Sequence, residues 1–526
     1  MDTKVLRQKI LDLAIRGKLV PQDPNDEPAS VLLERIREQK KQMVKEGKLK
    51  AKDIKNDSVI FVGEDNLHYE KFADGSVKCI EDEIPFELPD GWSWARLNQI
   101  YNFIDYRGAT PNKISSGVPL ITAKNVKSGY IDYTIDEYIS EEEYRERQQR
   151  GISRLGDILF TTEAPLGNAA IANIDKFSAG QRLITFQHYG NCTLNNTTFL
   201  YFILSDIFQN QLHARKTGST VAGIKASILK TLVLPVPPFK EQEKIYNACE
   251  SLLTLTGKIA SDKQDILSII SKTKSKILDL AIRGQLVPQN PDDEPASVLL
   301  ERIRAEKEEL IKQGKIKRDK KESIIFKSED NSYYEKFSDG KCRSIEDELL
   351  FELPDGWEWC NLSMIGTTNI GLTYKPTDIN PTGTMVLRSS NIVDDTIDLN
   401  DLVRVKTKIR ENQYVQPNDI LICARNGSKA LVGKCALIDE LKEPASFGAF
   451  MAVYKTDYYK YVLYYLRSSL FRNVFDDGNS TAINQLTQDM LKRALIPFPP
   501  ISEQERIVNR ISELLSRLRD IEKSLS

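Results

Sequence analysis

The feature that most constrains this chain is a displaced duplication. The block Lys9-Ile10-Leu11-Asp12-Leu13-Ala14-Ile15-Arg16-Gly17 recurs at Lys276 to Gly284. The block Pro237-Pro238-x-x-Glu241-Gln242-Glu243-x-Ile245 recurs at Pro499-Pro500-x-x-Glu503-Gln504-Glu505-x-Ile507. Asp26 to Arg37 is identical to Asp293 to Arg304, and Phe86 to Trp92 is identical to Phe351 to Trp357. Internal repeats of this length set the architecture before any local propensity matters. The repeats predict one long central helix, Glu241 to Arg283, entered from a proline-rich stop and closed at Gly284 with Pro288 beyond it. Apolar residues recur along it every seventh position at Ile245, Leu252, Ile259 and Ile266, and again at Ile507, Leu514 and Ile521 near the C-terminus. Leu255 and Ile269 supply part of a second line. Such a repeat reads as a coiled-coil seam. The two terminal helices, end to end, would rebuild the central one and lie antiparallel along it. That is a circularly permuted duplication, and it predicts neighbouring termini.

Between the repeated struts lie two segments that diverge. The chain therefore divides into an N-terminal helix (1–20), a first repeat segment (21–93), a first globule (94–239), the central helix (240–284), a second repeat segment (285–358), a second globule (359–500) and a C-terminal helix (501–526). Short alternating stretches such as Val118-Pro119-Leu120-Ile121 and Met385-Val386-Leu387 predict strands with helices behind them, hence α+β globules. Near-identical struts holding two unlike globules imply one scaffold with two independently variable readers. After the first helix, Ser30 is expected to cap a second helix whose tail enters the basic stretch Lys40 to Lys55; Lys307 to Lys321 repeats it. Both basic runs are read as solvated helix ends.

Composition narrows the functional classes. A net charge of −2 announces no global attraction to nucleic acid, and the two globules are only slightly basic. Cys79, Cys192, Cys249, Cys342, Cys360, Cys423 and Cys435 are scattered, with no Cys-x-x-Cys pair, which points to reduced thiols in the cytoplasm and not to disulfides or zinc. No apolar run approaches membrane-spanning length.

The paired Phe-Glu-Leu-Pro-Asp-Gly-Trp signposts, the Pro-Pro-x-x-Glu-Gln openings and the Leu-Asp-Leu-Ala-Ile-Arg-Gly-x-Leu-Val-Pro blocks at 11–21 and 278–288 resemble the specificity subunit of a Type I restriction–modification system. The resemblance runs through nearly the whole chain. It implies two target-recognition domains, each reading one half of an asymmetric bipartite site in double-stranded DNA, on a helical scaffold that docks two methyltransferase (modification) subunits, with restriction (motor and nuclease) subunits outside them. It also implies that this chain carries no catalytic site and no cofactor. S-adenosylmethionine, ATP and magnesium would be used by the partners.

Lysine and arginine suit phosphate contacts, and Asn, Gln and Arg can read base edges. On that ground the expected DNA contacts of the first globule are Lys124, Asn125 and Lys127, then Thr161 and Thr162, then Lys216, Ser219, Thr220 and Lys225. Those of the second are Arg388, Ser389 and Asn391, then Arg425, Asn426 and Lys429, then Ser480, Thr481, Asn484 and Gln485.

Catalytic readings fare worse. Gly427 to Cys435 resembles a phosphate-binding loop but ends in Cys where Ser or Thr should hold magnesium. Pro235 to Phe239 lacks the leading Asn or Asp of an adenine-methyltransferase motif and recurs as a helix stop. His68, His188 and His213 are too dispersed for a metal site or a triad. The reading from another class is a scaffold whose globules bind protein, which sequence-specific DNA binding would exclude.

Overall fold

In the computed structural model, residues 2–525 are described apart from 56, 107–109, 192–193, 218–221, 317, 319–321 and 474–484. The chain forms two compact units, residues 1–263 and 264–526, and the boundary falls within one helix, Phe239–Ile282. Each unit follows the same plan.

In the first unit, helices Thr3–Ile15 and Ala29–Lys45 precede a three-stranded antiparallel sheet, Ser58–Val62, His68–Phe72 and Val77–Cys79. Pro28, not Ser30, stands at the N-cap of the second helix, and no side chain caps it. Proline is tolerated at a helix start because the first N–H groups have no intrahelical partner. Strand Ser93–Arg96 then pairs antiparallel with Val233–Val236, so the globule between them leaves and re-enters the unit at one neck. The second unit repeats this with sheet Ser323–Lys327, Tyr333–Phe337 and Cys342–Ser344, and with neck strands Glu358–Asn361 and Leu495–Phe498.

The repeated motifs converge at the neck, in one knot per unit. Glu241 is 1% exposed and accepts hydrogen bonds from the Trp92 indole N–H at 3.0 Å and from Gln22 Nε2 at 3.1 Å. Gln22 also donates to Gly17 O at 2.6 Å, and Lys244 pairs with Asp26 at 3.1 Å. Gly17 has φ +64°, and a Cβ there would stand 2.5 Å from Pro89 Cγ and 3.0 Å from the Trp92 ring, so only glycine fits both the turn and the packing. The second unit rebuilds the knot from Glu503, Trp357, Gln289, Gly284, Pro354 and the Asp293–Arg506 pair. Burial pushes the Glu241 and Glu503 carboxyls up, and the bonds from Gln22 and Trp92, or from Trp357 and Gln289, oppose it.

The long helices depart from the expected seam. Ile245 and Ile507 are fully buried, and Ile259 and Leu514 partly so. Leu252, Ile266 and Ile521, however, are 38%, 38% and 45% exposed, and Leu255 and Ile269 more so. The line buried on the central helix is instead Cys249, Thr256, Ile270 and Ile277, with Lys263 half-buried among them. It lies four residues to one side of the expected line, and a threonine within it hides it from a count of apolar residues. Thr256 satisfies its hydroxyl on Leu252 O at 2.7 Å. Within the second unit, helix Ile501–Leu525 packs on the end of the central helix through Ile277, Ile511, Leu515 and Leu518. The pairs Gln289–Glu503 and Lys274–Glu522 show that the two run antiparallel.

The basic runs are exposed along most of their length, but the first lysine of each departs from expectation. Lys40 is 2% exposed, paired with Asp57 at 2.6 Å, donating to Asn98 O at 3.2 Å and lying over the Tyr189 ring. Lys307 pairs with Glu322 at 2.6 Å. Lys307 also donates to Ser363 O at 3.3 Å, so the first lysine of each run ties its helix to the globule, while Lys41, Lys45, Lys48, Lys312 and Lys315 beyond it are exposed.

Candidate nucleic-acid interface

The two globules, so unlike in sequence, have one topology. The first has a four-stranded antiparallel sheet in the order Asn102–Asp105, Leu183–Gln187, Ile158–Thr161, Ala169–Ile171. The second orders Thr367–Ile370, Met451–Lys455, Ile420–Cys423 and Cys435–Leu437 in the same way. Beside each sits a three-stranded sheet with one parallel and one antiparallel pairing. It comprises Ser178–Ala179, Val118–Ile121 and Tyr138–Ile139 in one globule, and Ala445–Phe447, Ile379–Leu387 and Val403–Val405 in the other.

Local chemistry repeats as well. Asn125 accepts the Thr122 backbone N–H at 3.0 Å and donates to Asp132 O and Ile135 O at 3.0 and 2.9 Å. Asn391 accepts from the Arg388 N–H and donates to Asp398 O and Asp401 O, each at 2.9 Å. The sequence separations are the same in both. Each asparagine is a buried staple that closes a turn after a core strand. Asp157 and Asp419 likewise each accept the backbone N–H three residues earlier at 2.8 Å.

These geometries correct four of the expected contacts. Asn125, Thr161, Thr162 and Asn391 are at most 2% exposed, with their polar groups spent inside the protein. Thr161 Oγ1 accepts from Asn168 N at 2.9 Å and Thr162 Oγ1 donates to Arg182 O at 3.1 Å. They shape the loops and cannot reach a base. Ser219, Thr220, Ser480, Thr481 and Asn484 lie outside the described residues.

The other expected residues occupy surfaces that the fold does bring together. In the first globule, Asn168 Nδ2 donates to Val126 O at 3.0 Å and Ile224 N donates to Thr162 O at 3.0 Å. The three loops chosen from sequence thus form one contiguous edge carrying Lys124, Lys127, Lys216 and Lys225. Lys124 is well exposed and 3.9 Å from its nearest carboxylate, Glu137; Lys127 is half-buried and 3.9 Å from Asp132. In the second globule, Asn426 Nδ2 donates to Ser389 Oγ at 3.3 Å and Leu486 N donates to Ala424 O at 2.7 Å. This joins the loops bearing Arg388, Ser389, Arg425, Asn426, Lys429 and Gln485. Arg388 is tethered to Asp401 at 2.9 Å. Arg425 lies over the exposed Phe450 ring, 5.4 Å from its centroid. Phe450 was not among the residues expected from sequence, since a lone aromatic before a strand gives no signal of its own.

One buried acid of the first globule lacks the lysine that its counterpart in the second has. Asp157 is buried and receives Gln187 Nε2 at 2.8 Å, whereas Asp419 receives the Lys455 ammonium at 2.7 Å. Burial pushes the Asp157 carboxyl up to about 6. A carboxyl whose folded value lies above its unfolded one binds more protons when folded, so its burial costs stability at pH 7 and that cost is relieved as pH falls from about 6 toward 4. Asp157→Asn should therefore stabilise the first unit at pH 8 by about 1–3 kcal/mol and flatten its stability between pH 4 and 7. Urea melts across that range would show it; a variant with the parent's slope would refute the assignment.

Neither globule carries the geometry of a phosphate loop or a metal centre among the described residues. The Gly427 to Cys435 segment folds as a single turn, Lys429–Leu431, followed by strand Cys435–Leu437, with no helix to receive phosphate. Among the described residues, no group of three or more His, Cys, Asp or Glu side chains could hold a metal. No described helix is long and apolar enough to cross a membrane.

Comparison with known proteins agrees with this geometry. The sequence profile of the Type I restriction modification DNA specificity domain matches residues 89–267 and again 354–526. The specificity subunit of the Type I restriction enzyme EcoAI of Escherichia coli is 29% identical, over 97% of this chain and 89% of that protein. The EcoEI specificity subunit, also from Escherichia coli, is 27% identical over 97% and 88%. A solved chain, from work on complex assembly and conformational transition of the type I R-M system, superposes with a TM-score of 0.54 at 17% identity, covering 84% of this chain and 94% of that one. Two matched domains on the repeated plan, and relatives so named along almost the full length, place this chain in the family of Type I restriction–modification specificity subunits.

Proposed function

We propose that this chain reads an asymmetric bipartite DNA site, one half-site per globule, for a Type I restriction–modification enzyme. The observation that carries this is the pairing of one backbone plan with two different sets of loop side chains. The polar edges of the two globules arise from corresponding loops, yet one presents Lys124, Lys216 and Lys225 and the other Arg388, Arg425 and Gln485. The same frame with different readers implies two unlike half-sites. The long helices, read as an antiparallel coiled coil in a circularly permuted, pseudo-two-fold duplication, would hold the gap between half-sites constant. Equivalent surfaces presented twice by one chain suit two copies of a modification subunit, with restriction subunits joining outside them.

On this reading the chain performs no chemistry. Adenine methylation from S-adenosylmethionine, and cleavage with ATP and magnesium, belong to the partners, and the assembly acts on DNA in the cytoplasm. The modest charge of the globules fits a subunit that grips DNA only when assembled, because phosphate neutralisation supplies most non-specific affinity.

The test is to express the chain with its modification subunit and map modified adenines across the host genome. One bipartite motif with a fixed gap and unlike halves is expected. A stable complex that methylates no defined motif would overturn the proposal.

A further inference from the structure

Corresponding positions in the two globules can be matched by backbone hydrogen bonds alone. Thr162 N donates to Arg182 O at 3.0 Å, and Ala424 N donates to Phe450 O at 2.9 Å. Ile224 N donates to Thr162 O at 3.0 Å, and Leu486 N donates to Ala424 O at 2.7 Å. The next residue in each loop makes an antiparallel bridge, Glu163 to Gly223 and Arg425 to Gln485. Glu163 therefore corresponds to Arg425, and Arg182 to Phe450.

The frame is shared, but the side chains on it are exchanged in kind. In the first globule Glu163 and Arg182 form an ion pair at 3.0 Å, each about half exposed. In the second, Arg425 lies over Phe450, which is 60% exposed. Arg425 differs from Arg388, Arg404 and Arg467 of the same globule, which are bound to Asp401, to Glu443 and to backbone carbonyls of Asp395 and Cys435. Its guanidinium lies over a ring face and has no carboxylate partner among the described residues. A packing position would keep its chemistry when the backbone is kept. Two exposed positions on one frame that carry an acid–base pair in one copy and a cation–aromatic pair in the other are built to discriminate.

We propose that this pair of positions determines one base pair in each half-site, with Arg425, oriented by Phe450, selecting guanine in the second half-site, and Glu163, oriented by Arg182, selecting cytosine in the first. The chemistry follows from the groups. A planar guanidinium donates two parallel N–H bonds to guanine O6 and N7, and a carboxylate accepts from the cytosine amino group. A ring beside the guanidinium leaves its N–H groups free to donate while restricting its rotamers, which lowers the entropic cost of docking. This inference rests on the DNA-reading function proposed above and assigns it to particular residues.

The experiment uses the assembled modification complex. The parent is mapped first: absence of any bipartite motif would defeat the DNA-reading function itself, separately from this assignment. With a parent motif in hand, Arg425→Ala and Arg425→Lys are each assayed on oligonucleotides varied one position at a time. The expected result is loss of discrimination at one guanine in one half-site, by about 5- to 100-fold for Arg425→Ala, with the other half-site unchanged. Phe450→Ala should weaken discrimination at that same position, and Glu163→Gln should relax a cytosine in the opposite half. Uniformly weaker methylation of every sequence, with a shallower salt dependence, would make Arg425 a phosphate contact and overturn the proposal. Unchanged preference at every position would overturn it as well. Since Arg425 is exposed and Arg425→Lys keeps the charge, an unaltered melting temperature shows that the readout is recognition and not folding.

Discussion

Trp357→Ala is expected to lower the stability of the second unit by about 3–5 kcal/mol, the range for removing a large aromatic from a core. Trp357 is 3% exposed, packs edge-on against Tyr461, and covers Gly284 where the central helix ends. Its indole N–H is also one of two neutral donors that hold the buried Glu503 carboxylate, at 3.0 Å. The alanine variant thus loses apolar contact and leaves a buried anion short of a partner. The two contributions can be separated. Trp357→Phe keeps most of the ring but strands Glu503, at an expected cost of about 1–3 kcal/mol, and Glu503→Gln in that background should recover part of it. Burial already raises the Glu503 carboxyl, so its ionisation opposes folding at pH 7 and that opposition fades as pH falls toward 4.5. Trp357→Phe should steepen this trend. Urea melts of the full chain at pH 5 and 8 measure both. A Trp357→Ala variant within 1 kcal/mol of the parent would mean that the knot does not hold the unit together.

That knot explains why the repeats were legible while their purpose was not. Phe86 to Trp92, the Pro-Pro-x-x-Glu-Gln opening and the helix-ending Gly17 are separate motifs in sequence, readable as a signpost, a helix stop and a helix end. In the fold they are one object, since Trp92 and Gln22 both reach Glu241. Nothing in local periodicity reports contacts between residues 149 and 219 positions apart. The duplicated plan, the long helix and the division into two readers could all be taken from the repeats, because identity at a fixed offset needs no knowledge of contacts.

The reading loops were legible as segments and less so as residues. As far as they are described, the loops read from their polar turns are joined by hydrogen bonds within each globule. Within them, Asn125 and Asn391 have the composition of surface readers and the geometry of buried staples; an asparagine that closes a turn onto two carbonyls looks the same in sequence as one that faces solvent. Thr161 and Thr162 misled in the same way, since a β-branched residue at the end of a core strand packs inward when its hydroxyl finds a backbone partner. The seam was misplaced for the complementary reason. Seven-residue spacing of Ile245, Leu252, Ile259 and Ile266 is a true pattern of the sequence, but the buried line has the same spacing four residues to one side and admits Thr256 and the half-buried Lys263, so a count of apolar residues passes it over.

Replacing residues 97–232 with residues 362–494, so that both globules are copies of the second reader, is expected to convert an asymmetric target into one whose two halves match as an inverted repeat. The cut points follow from the necks. Ser93–Arg96 pairs with Val233–Val236, and Glu358–Asn361 with Leu495–Phe498, so each globule is entered and left through adjacent strands and can be exchanged without opening the repeated knot. Of the groups at the interface, Arg96 is the one to watch. It donates to Glu70, Glu83 and Thr231 O, while Asn361 stands at its place and donates to Ser323 Oγ at 3.0 Å. Retaining Arg96 on the first unit's strand keeps the buried Glu70 paired, and leaving that carboxylate without its cation would otherwise cost several kcal/mol; Glu83 also has Lys78 at 2.9 Å. The measurement is the methylation motif of the assembled chimera against that of the parent. If each globule reads its half-site independently, the parent's first half-site disappears, the second appears twice in opposite orientation, and the gap keeps its length. A chimera that folds, assembles and still requires the original first half-site would place recognition in the repeated segments and refute the assignment of one half-site to each globule.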